Sequence, residues 1–389
     1  MKVLTAAIRY PPSPGGAETH AHEVAKELVS RGHDVKVYTS DLLREHPFEH
    51  LDQPYDKVDG VTVVRKRAYR LGEAFHFALM PGQLEILREP ADVLHSHSFG
   101  YFHTNVMATR RKLRPTPLVI TPHYHPPETM EGGWARHQMR RFYDTNIANW
   151  VFDQADVIIA VSRAELSSMA HHINDLEKVR VIPNGIHFTN FEELPEPGLF
   201  RRPRGIEGPM LLYVGRLAVN KRMEFVIEAM PELLKAHPDL QLVIAGPDDG
   251  VGEKWRELAS ELGVADQVRF EGFLSEEDKT AAYCDADVFV LPSEWEAFGI
   301  VLLESMACRT PCICADRGGA PEVLEDGVTG YVAPYGDVEA WTSRIKEMLD
   351  DDAGRRRMGE AGRQRVRERF VWPAIVDQIE QVYGELTGR

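Results

Sequence analysis

Short apolar runs alternate with longer amphipathic stretches along the whole chain, which is typical of repeated β-α-β units. In the first half these runs predict strands near residues 2–9, 34–39, 61–66, 92–95, 117–121, 156–161 and 179–182. Helical periodicity covers residues 17–30, and Arg31-Gly32 follows as a helix end. The pattern restarts in the second half, with strands predicted at 210–215, 240–245, 268–271, 288–291 and 311–315. We therefore predict an α/β chain with two Rossmann-like domains facing a central cleft.

A charged segment rich in proline and glycine separates the two series of strands. It covers residues 192–205, and its composition is typical of a linker. The prediction is a first domain over residues 1–190 and a second over residues 191–370. Residues 371–389 predict a C-terminal helix that returns to the first domain. A chain of 389 residues is too long to form a single hydrophobic core, which agrees with a division into two domains.

Charge is divided unevenly between the two halves. Of 45 basic and 60 acidic residues, 22 of each lie within residues 1–190, so the net charge of −15 belongs to the remainder. A net acidic protein is a poor nonspecific ligand for nucleic acid, and no nucleic acid is expected as a partner. The sequence contains no run of 18 apolar residues and opens directly on a strand. We expect a cytoplasmic enzyme.

Two glutamates flank an apolar run that follows a predicted strand and enters a helix. Glu296 precedes Phe298, Gly299 and Ile300, which bring backbone N–H groups to the helix start, where phosphate is attracted. Glu304 follows about two helical turns after Glu296, on roughly the same face. One acid can hold sugar hydroxyls and the other ribose hydroxyls, with a diphosphate between them. The alternative is that both acids only balance the helix dipole.

Two cations follow the first strand of the second half. Arg216 and Lys221 lie at a strand-to-helix turn, where they can straddle a diphosphate. Solvated surface charge is the alternative. Gly246 and Phe273 lie in the loops after the next two strands, and we expect these loops to close on a nucleobase.

The first strand of the chain leads into Gly15-Gly16 and then a helix. Two glycines permit close backbone approach, and the helix start supplies N–H groups for an anion. A plain tight turn is the alternative. The dehydrogenase fingerprint Gly-x-Gly-x-x-Gly does not occur here, which disfavours a nicotinamide or flavin site. We expect no cofactor.

Histidines follow two strands of the first half, as the pairs His95/His97 and His123/His125. Histidines two residues apart can chelate a metal ion, but no carboxylate or cysteine accompanies these pairs. We expect no metal site. The favoured role is hydrogen bonding to a transferred sugar and its acceptor, with His95 and His125 as ordinary structural histidines in the alternative.

Taken together, these motifs resemble the retaining glycosyltransferases of family four, which have the GT-B fold. The resemblance rests on Gly15-Gly16, His123, Gly215-Arg216 with Lys221, Glu296-x7-Glu304, Pro183-Asn184-Gly185-Ile186 and Gly318-Gly319-Ala320-Pro321-Glu322. It covers nearly the whole chain. It implies transfer of a hexosyl group from a UDP- or GDP-sugar to an acceptor hydroxyl.

The resemblance also implies roles for residues at the donor. Gly16 would lie near the donor phosphate and sugar, and Arg216 and Lys221 on the diphosphate. Glu296 would hold the sugar hydroxyls and Glu304 the ribose.

His123 would stand beside the transferred sugar, and the leaving diphosphate would take the acceptor proton. Arg222 departs from the family, since many relatives have glycine after the lysine, and the helix start is expected to change. Two other classes stay open: a sugar-nucleotide epimerase of the same fold, and a non-catalytic sugar-nucleotide binding protein.

Basic and aromatic residues in the first half bear on the acceptor. They occur in Arg110-Arg111-Lys112-Leu113-Arg114 and again at residues 134–143, on a half with no net charge. This suits a peripheral enzyme on the inner face of the cell membrane that uses a lipid-linked acceptor. Solvated helix faces near the site of a soluble sugar or sugar-phosphate acceptor fit the pattern equally well.

Overall fold

The computed structural model describes residues 1–45, 48–52, 56–70, 78–129 and 133–388. The chain forms two compact units, one made of Met1–Asn184 with Trp372–Arg389 and the other of Gly185–Val371. In the part of the chain that is described, no helix is both long and apolar enough to cross a membrane.

The first unit contains twelve described strands and six described α-helices. The strands are β1 (Lys2–Ala6), β2 (Asp34–Ser40), β3 (Leu42–Arg44), β4 (Glu49–His50), β5 (Lys57–Val58), β6 (Val61–Lys66), β7 (Tyr69–Arg70), β8 (Ala78–Leu79), β9 (Val93–His97), β10 (Leu118–Thr121), β11 (Val157–Ala160) and β12 (Val179–Val181). The helices are α1 (Gly16–Ser30), α2 (Phe102–Leu113), α3 (Trp134–Tyr143), α4 (Asn149–Gln154), α5 (Arg163–Met169) and, at the end of the chain, α13 (Trp372–Thr387).

Eight of these strands form one sheet in the order β12-β11-β10-β9-β1-β2-β6-β5. All neighbours are parallel except β5, which pairs antiparallel with β6. The chain starts in the middle at β1, moves outward through β2 and β6, and returns to the other side of β1 with β9. The strand order therefore reverses between β1 and β9. Open parallel sheets bind ligands at such a reversal, beyond the carboxyl ends of the strands.

Helix α13 is part of the core of the first unit. The buried face of α13 packs in one hydrophobic cluster with residues of β1 and α1. The residues of α13 are Trp372, Ile375, Val376, Ile379, Val382 and Tyr383, and their partners in the cluster include Val3, Ala21, Val24 and Leu28. The hydroxyl of Tyr383 also lies 2.6 Å from Nδ1 of His95 on β9. The last residues of the chain thus complete the core that the first residues begin.

The second unit contains six parallel strands and seven α-helices. The strands are β13 (Met210–Val214), β14 (Gln241–Ala245), β15 (Val268–Gly272), β16 (Val288–Leu291), β17 (Cys312–Ala315) and β18 (Gly330–Ala333). The helices are α6 (Glu224–Ala236), α7 (Gly252–Glu261), α8 (Glu276–Asp285), α9 (Ile300–Ala307), α10 (Ala320–Val323), α11 (Val338–Asp350) and α12 (Asp352–Arg369).

The strand order of the second sheet is β15-β14-β13-β16-β17-β18, which reverses between β13 and β16. This is the Rossmann order, so both units have the predicted fold class. In this sheet, β18 has no counterpart among the sequence predictions, and in the first unit the short strands β3, β4, β5, β7 and β8 have none either. Strand β18 lies at the edge of the sheet and has only four residues, of which two are partly buried.

The segment predicted as a linker is folded onto the second unit. Phe200 within it is fully buried. The carboxylate of Asp285, at the end of α8, accepts hydrogen bonds from the backbone N–H groups of Gly198, Phe200 and Arg201 at 2.5–3.0 Å. Its prolines and glycines therefore form turns that one carboxylate fixes in place.

We expect Ile379→Ala to destabilise the first unit by about 2–5 kcal/mol, because it removes a fully buried side chain from the core and leaves a cavity. The adjacent Gln378 is exposed, so Gln378→Ala serves as the matched control and should change stability by less than about 0.5 kcal/mol. Urea unfolding followed by tryptophan fluorescence measures both. Equal midpoints for the two variants would show that α13 does not contribute to this core.

Candidate functional site

In the second unit, the loops after β13, β14 and β15 are joined by backbone hydrogen bonds. Leu217 N–H donates to the oxygen of Pro247 at 2.9 Å, and Gly246 N–H donates to the oxygen of Gly272 at 2.6 Å. A Cβ on Gly246, whose φ is +139°, would lie 1.9 Å from the carbonyl oxygen of Gly215. Only glycine permits this approach, so the three loops form one fixed surface at the carboxyl edge of the sheet.

Lys221 and Glu296 meet at the reversal point of this sheet. Lys221 ends a short 3₁₀ turn at Val219–Lys221 after β13, and Glu296 lies in the loop after β16. Lys221 Nζ donates to Glu296 Oε1 at 2.6 Å, and the hydroxyl of Ser293 donates to the same oxygen at 2.8 Å. Both side chains are mostly buried, with 13% and 18% exposed. A cation and a carboxylate are thus held together where the topology favours a ligand.

The loop after β17 holds the backbone of Glu296. Gly319 N–H donates to the Glu296 oxygen at 2.7 Å. A Cβ on Gly318, whose φ is +63°, would lie 2.4 Å from that oxygen. The two glycines noted in the sequence therefore allow a close backbone contact that fixes the Glu296 loop.

Glu304 lies on α9, which begins only at Ile300, so Glu296 is in the preceding loop and the two acids do not share a helix face. Both carboxylate oxygens of Glu304 have partners on α8. Lys279 Nζ donates to one at 3.1 Å and the Tyr283 hydroxyl to the other at 2.8 Å. Burial lowers the pKa of Lys279, but the charges of Glu304 and Glu276 outweigh it and the net pKa is raised. This network keeps Glu304 oriented.

Arg216 and Arg222 have acidic partners near the surface. Arg216 is more than half exposed and its Nη1 lies 2.6 Å from Asp249 Oδ2. Arg222 has a left-handed φ of +51°, which explains why glycine suits this position. Its guanidinium contacts Glu294 at 2.9 Å and Glu224 at 3.3 Å, and these ion pairs offset part of the backbone strain. Helix α6 still begins at Glu224.

The remaining residues predicted for the second half occupy different environments. Phe273 is 80% exposed, whereas Phe298 is buried with its ring 5.8 Å from that of Phe370. Gly299 caps α9 with a φ of +101°, and Ile300 is its half-buried first residue. The ring of Phe273 therefore projects into solvent, whereas the ring of Phe298 packs in the interior of the second unit.

In the first unit, Gly15 and Gly16 are exposed at the start of α1, directly after β1. Gly15 has a φ of +151°, and a Cβ there would lie 2.1 Å from Glu18 Oε2. The Glu18 carboxylate is buried and accepts a hydrogen bond from Arg9 Nε at 2.8 Å. Because glycine has no side chain, this position leaves room for the Glu18 carboxylate, which was not among the residues predicted from the sequence.

Three histidines meet beside these glycines. His97 is the last residue of β9, His123 follows β10 with a left-handed φ of +46°, and His20 comes from α1. One ring nitrogen of each lies within 4.8 Å of the others. The ring centres of His20 and His123 are 5.0 Å apart, and those of His97 and His123 are 5.8 Å apart.

Burial favours the neutral form of all three histidine rings. Burial lowers the pKa of His20 to about 4, although its hydrogen bond to Asn184 acts in the opposite direction. Burial, with the neighbouring histidines next, holds the pKa values of His97 and His123 well below the usual range. At neutral pH these rings offer nitrogen lone pairs and neutral N–H groups, which suit sugar hydroxyls.

Glu165 supports the loop that carries His123. Its buried carboxylate accepts from the backbone N–H of Tyr124 at 2.5 Å and of Val161 at 2.6 Å. Burial raises its pKa to about 7. The signal in the sequence was Ser162-x-x-Glu165, a capping box, since Ser162 caps α5 by accepting from Glu165 N–H.

Of the other predicted histidines, His95 is structural, with Tyr383 and Thr121 as partners at 2.6 and 2.8 Å. His125 is exposed. Sequence reasoning missed His20, Lys279 and Tyr283. For His20 the available signal was its position one helical turn after Gly16, on the helix that opens at the glycine pair.

Two known protein families match this chain, each over a different stretch of residues. The family described as Glycosyltransferase Family 4 matches residues 14–189, and the family described as Glycosyl transferases group 1 matches residues 200–365. Together they cover the loops described above in both units.

Individual relatives extend this similarity over the whole length. A glycogen synthase of Mycobacterium tuberculosis is 30% identical over 98% of this chain and 94% of its own. An uncharacterized glycosyltransferase of Methanocaldococcus jannaschii is 31% identical over 100% of both chains. The solved structure of Anabaena HepE in complex with UDP and glucose has a TM-score of 0.79 at 21% identity, covering 99% of this chain and 100% of its own, which supports the fold.

The family models cover most of the chain and the relatives nearly all of it, and the chain therefore belongs to the glycosyltransferases of family four, which have the GT-B fold.

Proposed function

We propose that this glycosyltransferase moves a hexosyl group from a nucleotide-diphosphate sugar, UDP- or GDP-linked, to an acceptor hydroxyl with retention of configuration. The observation that carries the proposal is the pairing of Lys221 with Glu296 at the reversal point of the second sheet. A cation for phosphate and a carboxylate for hydroxyls are adjacent there, as a sugar diphosphate requires. In this proposal the second unit is the donor domain and the first is the acceptor domain.

The diphosphate is assigned to Lys221 and Arg216. Lys221 is positioned by the 3₁₀ turn, and Arg216 pairs with Asp249 through an exposed contact that is worth about 0–1 kcal/mol. Such a weak pair can open when a diphosphate offers Arg216 a bidentate partner. The N–H groups at the start of α9 add favourable partial charge.

The two glutamates are assigned to hydroxyl groups. Glu296 already accepts from Lys221 and Ser293, an arrangement that suits a hydrogen-bond acceptor for sugar hydroxyls better than a free nucleophile. Glu304, oriented by Lys279 and Tyr283, is assigned to the ribose hydroxyls. The fixed surface around Gly246 and the exposed ring of Phe273 are assigned to the nucleobase.

The first unit is assigned to the transferred sugar and the acceptor. Gly15 and Gly16 leave the start of α1 open to the donor phosphate and sugar. His97 lies at the carboxyl end of β9 and His123 just beyond that of β10, and both carry neutral rings. A left-handed φ at a residue other than glycine costs free energy and occurs often at functional sites, which favours a direct role for His123.

In the proposed reaction, the bond between the anomeric carbon and the diphosphate oxygen breaks while a bond to the acceptor oxygen forms on the same face. The acceptor proton passes to the leaving diphosphate, which departs as nucleoside diphosphate. Lys221 and Arg216 stabilise the negative charge that develops on this group. No metal ion or cofactor enters the step.

Helix α3 bears on whether the acceptor is lipid-linked. Trp134 and Phe142 are 77% and 60% exposed, and Arg141 is exposed beside them. Aromatic and basic side chains on one exposed helix favour contact with an anionic membrane. We propose a cytoplasmic enzyme that binds the inner face of the membrane through α3, with a soluble sugar or sugar phosphate as the alternative acceptor.

We expect Glu296→Ala to reduce transfer by about 10²–10³-fold, the loss seen when one group that stabilises a transition state is removed. Binding of the nucleoside diphosphate should survive, because Lys221 loses its partner and stays available to phosphate. Product formation from UDP- and GDP-hexoses and calorimetry with the free nucleotides measure the two effects. Glu294→Gln in the same loop is the control, since it retains an acceptor for Arg222.

Unchanged turnover in Glu296→Ala would exclude the assigned role. Formation of an epimeric sugar nucleotide by the wild type without acceptor would instead favour an epimerase.

Glu304→Ala should weaken binding of the free nucleoside diphosphate by about 10–150-fold, since a hydrogen bond to a charged group contributes roughly 1.5–3 kcal/mol. Glu276 is the matched control, because it pairs with the same Lys279 at 2.9 Å but is exposed. Glu276→Ala should bind nucleotide as the wild type does. Equal affinities for the two variants by calorimetry would remove Glu304 from the nucleotide site.

Charge reversal at Arg141 should release the protein from anionic vesicles in a low-salt sedimentation assay. Arg140 is unsuitable for this test, because it bonds to Asp144 at 2.8 Å and lies over the rings of Phe99 and Tyr124. Arg180→Glu, at an exposed position of the same unit, is the control. If the wild type stays in the supernatant, the membrane proposal is wrong and a soluble acceptor is favoured.

A further inference from the structure

Contacts to a sugar do not explain why the ring nitrogens of His20, His97 and His123 converge in a buried cluster. One ring nitrogen of each residue lies within 4.8 Å of the others, and His20 and His97 are fully buried. The three residues come from α1, β9 and the loop after β10, so they are far apart in sequence. Three imidazoles that converge in this way form a candidate metal site.

Hydrogen bonding leaves the converging nitrogens available. His20 Nδ1 lies 2.6 Å from Asn184 Oδ1, so Nδ1 carries the proton and the lone pair is on Nε2. Among the residues that the structure describes, His20 Nε2, His123 Nε2 and both ring nitrogens of His97 are buried without a hydrogen-bond partner. Buried polar atoms of this kind call for an explanation, and a bound ion is one.

The donor set matches a particular class of ion. Neutral imidazole nitrogen suits zinc and neighbouring divalent transition metals, and three protein ligands leave a fourth position open. The Asn184 oxygen on the far side of His20 is the type of outer partner that fixes the tautomer and orientation of a metal-binding histidine.

The three histidine rings need only a small movement to reach the geometry of a tetrahedral zinc site. Tetrahedral zinc with zinc–nitrogen distances of about 2.0–2.1 Å needs nitrogens about 3.4 Å apart. His97 can turn without breaking a side-chain hydrogen bond, because neither of its ring nitrogens has one in the described structure.

We propose that His20, His97 and His123 bind a divalent transition-metal ion such as zinc, and that the bound ion inhibits glycosyl transfer. Binding occupies Nε2 of His123, the residue assigned to the transferred sugar. The inhibitory part rests on the proposed function, whereas the binding part does not. The ion is no cofactor here, so the enzyme without metal is the active form and chelator alone leaves its activity unchanged.

The test uses the full chain without an affinity tag, stripped of metal and titrated with zinc by calorimetry. One zinc ion should bind per chain. His20→Asn, whose amide can still donate to Asn184, should bind at least about tenfold more weakly, and Asn184→Ala about 10–100-fold more weakly. His171→Ala, at an exposed histidine outside the cluster, should bind zinc as the wild type does. The visible spectrum of cobalt added in place of zinc gives a second readout of coordination in each folded variant.

Zinc should also inhibit transfer by the wild type and by His171→Ala, chelator should restore it, and His20→Asn should need at least about tenfold more zinc for the same inhibition. The proposed metal site would be wrong if the wild type bound no zinc, or if His20→Asn bound zinc as tightly as the wild type does. Stoichiometric binding without inhibition would overturn the inhibitory role alone. Because calorimetry and the cobalt spectrum need no substrate, failure of the proposed function would not be confused with failure of the site.

Discussion

Close backbone contact at the carboxyl edge of the second sheet is the constraint on which the candidate site of the second unit depends. Gly246 lies against the carbonyl of Gly215, and Gly318 lies against that of Glu296, at separations that exclude a Cβ. These contacts join loops from separate strands into one rigid surface. The loops that are held in this way carry Lys221 and Glu296, whose side chains pair at 2.6 Å.

The two units use the same topology for different chemistry. In each sheet the strand order reverses beside the first strand, and the candidate site residues lie near that reversal. The second unit presents cations and carboxylates there, whereas the first presents neutral histidines next to a glycine pair. The difference follows the composition, since 15 of the 16 histidines precede residue 190 and the excess acidic charge follows it.

Much of the fold could be predicted from the sequence because buried parallel strands are continuous apolar runs that need no knowledge of their neighbours. The edge strand β18 lacks such a run and could not be predicted. Within the site, Arg216, Lys221 and Glu296 occur in local motifs next to strands. Lys279 and Tyr283 act through a contact with Glu304 that the folded sheet creates, and no spacing in the sequence indicates it. Phe298 shows the converse, since its motif suggests a ligand contact but its ring packs in the core.

The membership of α13 in the first unit has a consequence for synthesis of the chain. The second unit is inserted between Asn184 and Trp372, and its two ends lie side by side, with Ile186 N–H bonded to the Phe370 oxygen at 2.8 Å. Domains usually fold in order as they leave the ribosome, the N-terminal one first. Here the first unit lacks the Trp372–Tyr383 face of its core until the whole inserted unit has been synthesised. The inserted unit is therefore free to complete its folding earlier, and the core of the first unit closes after it.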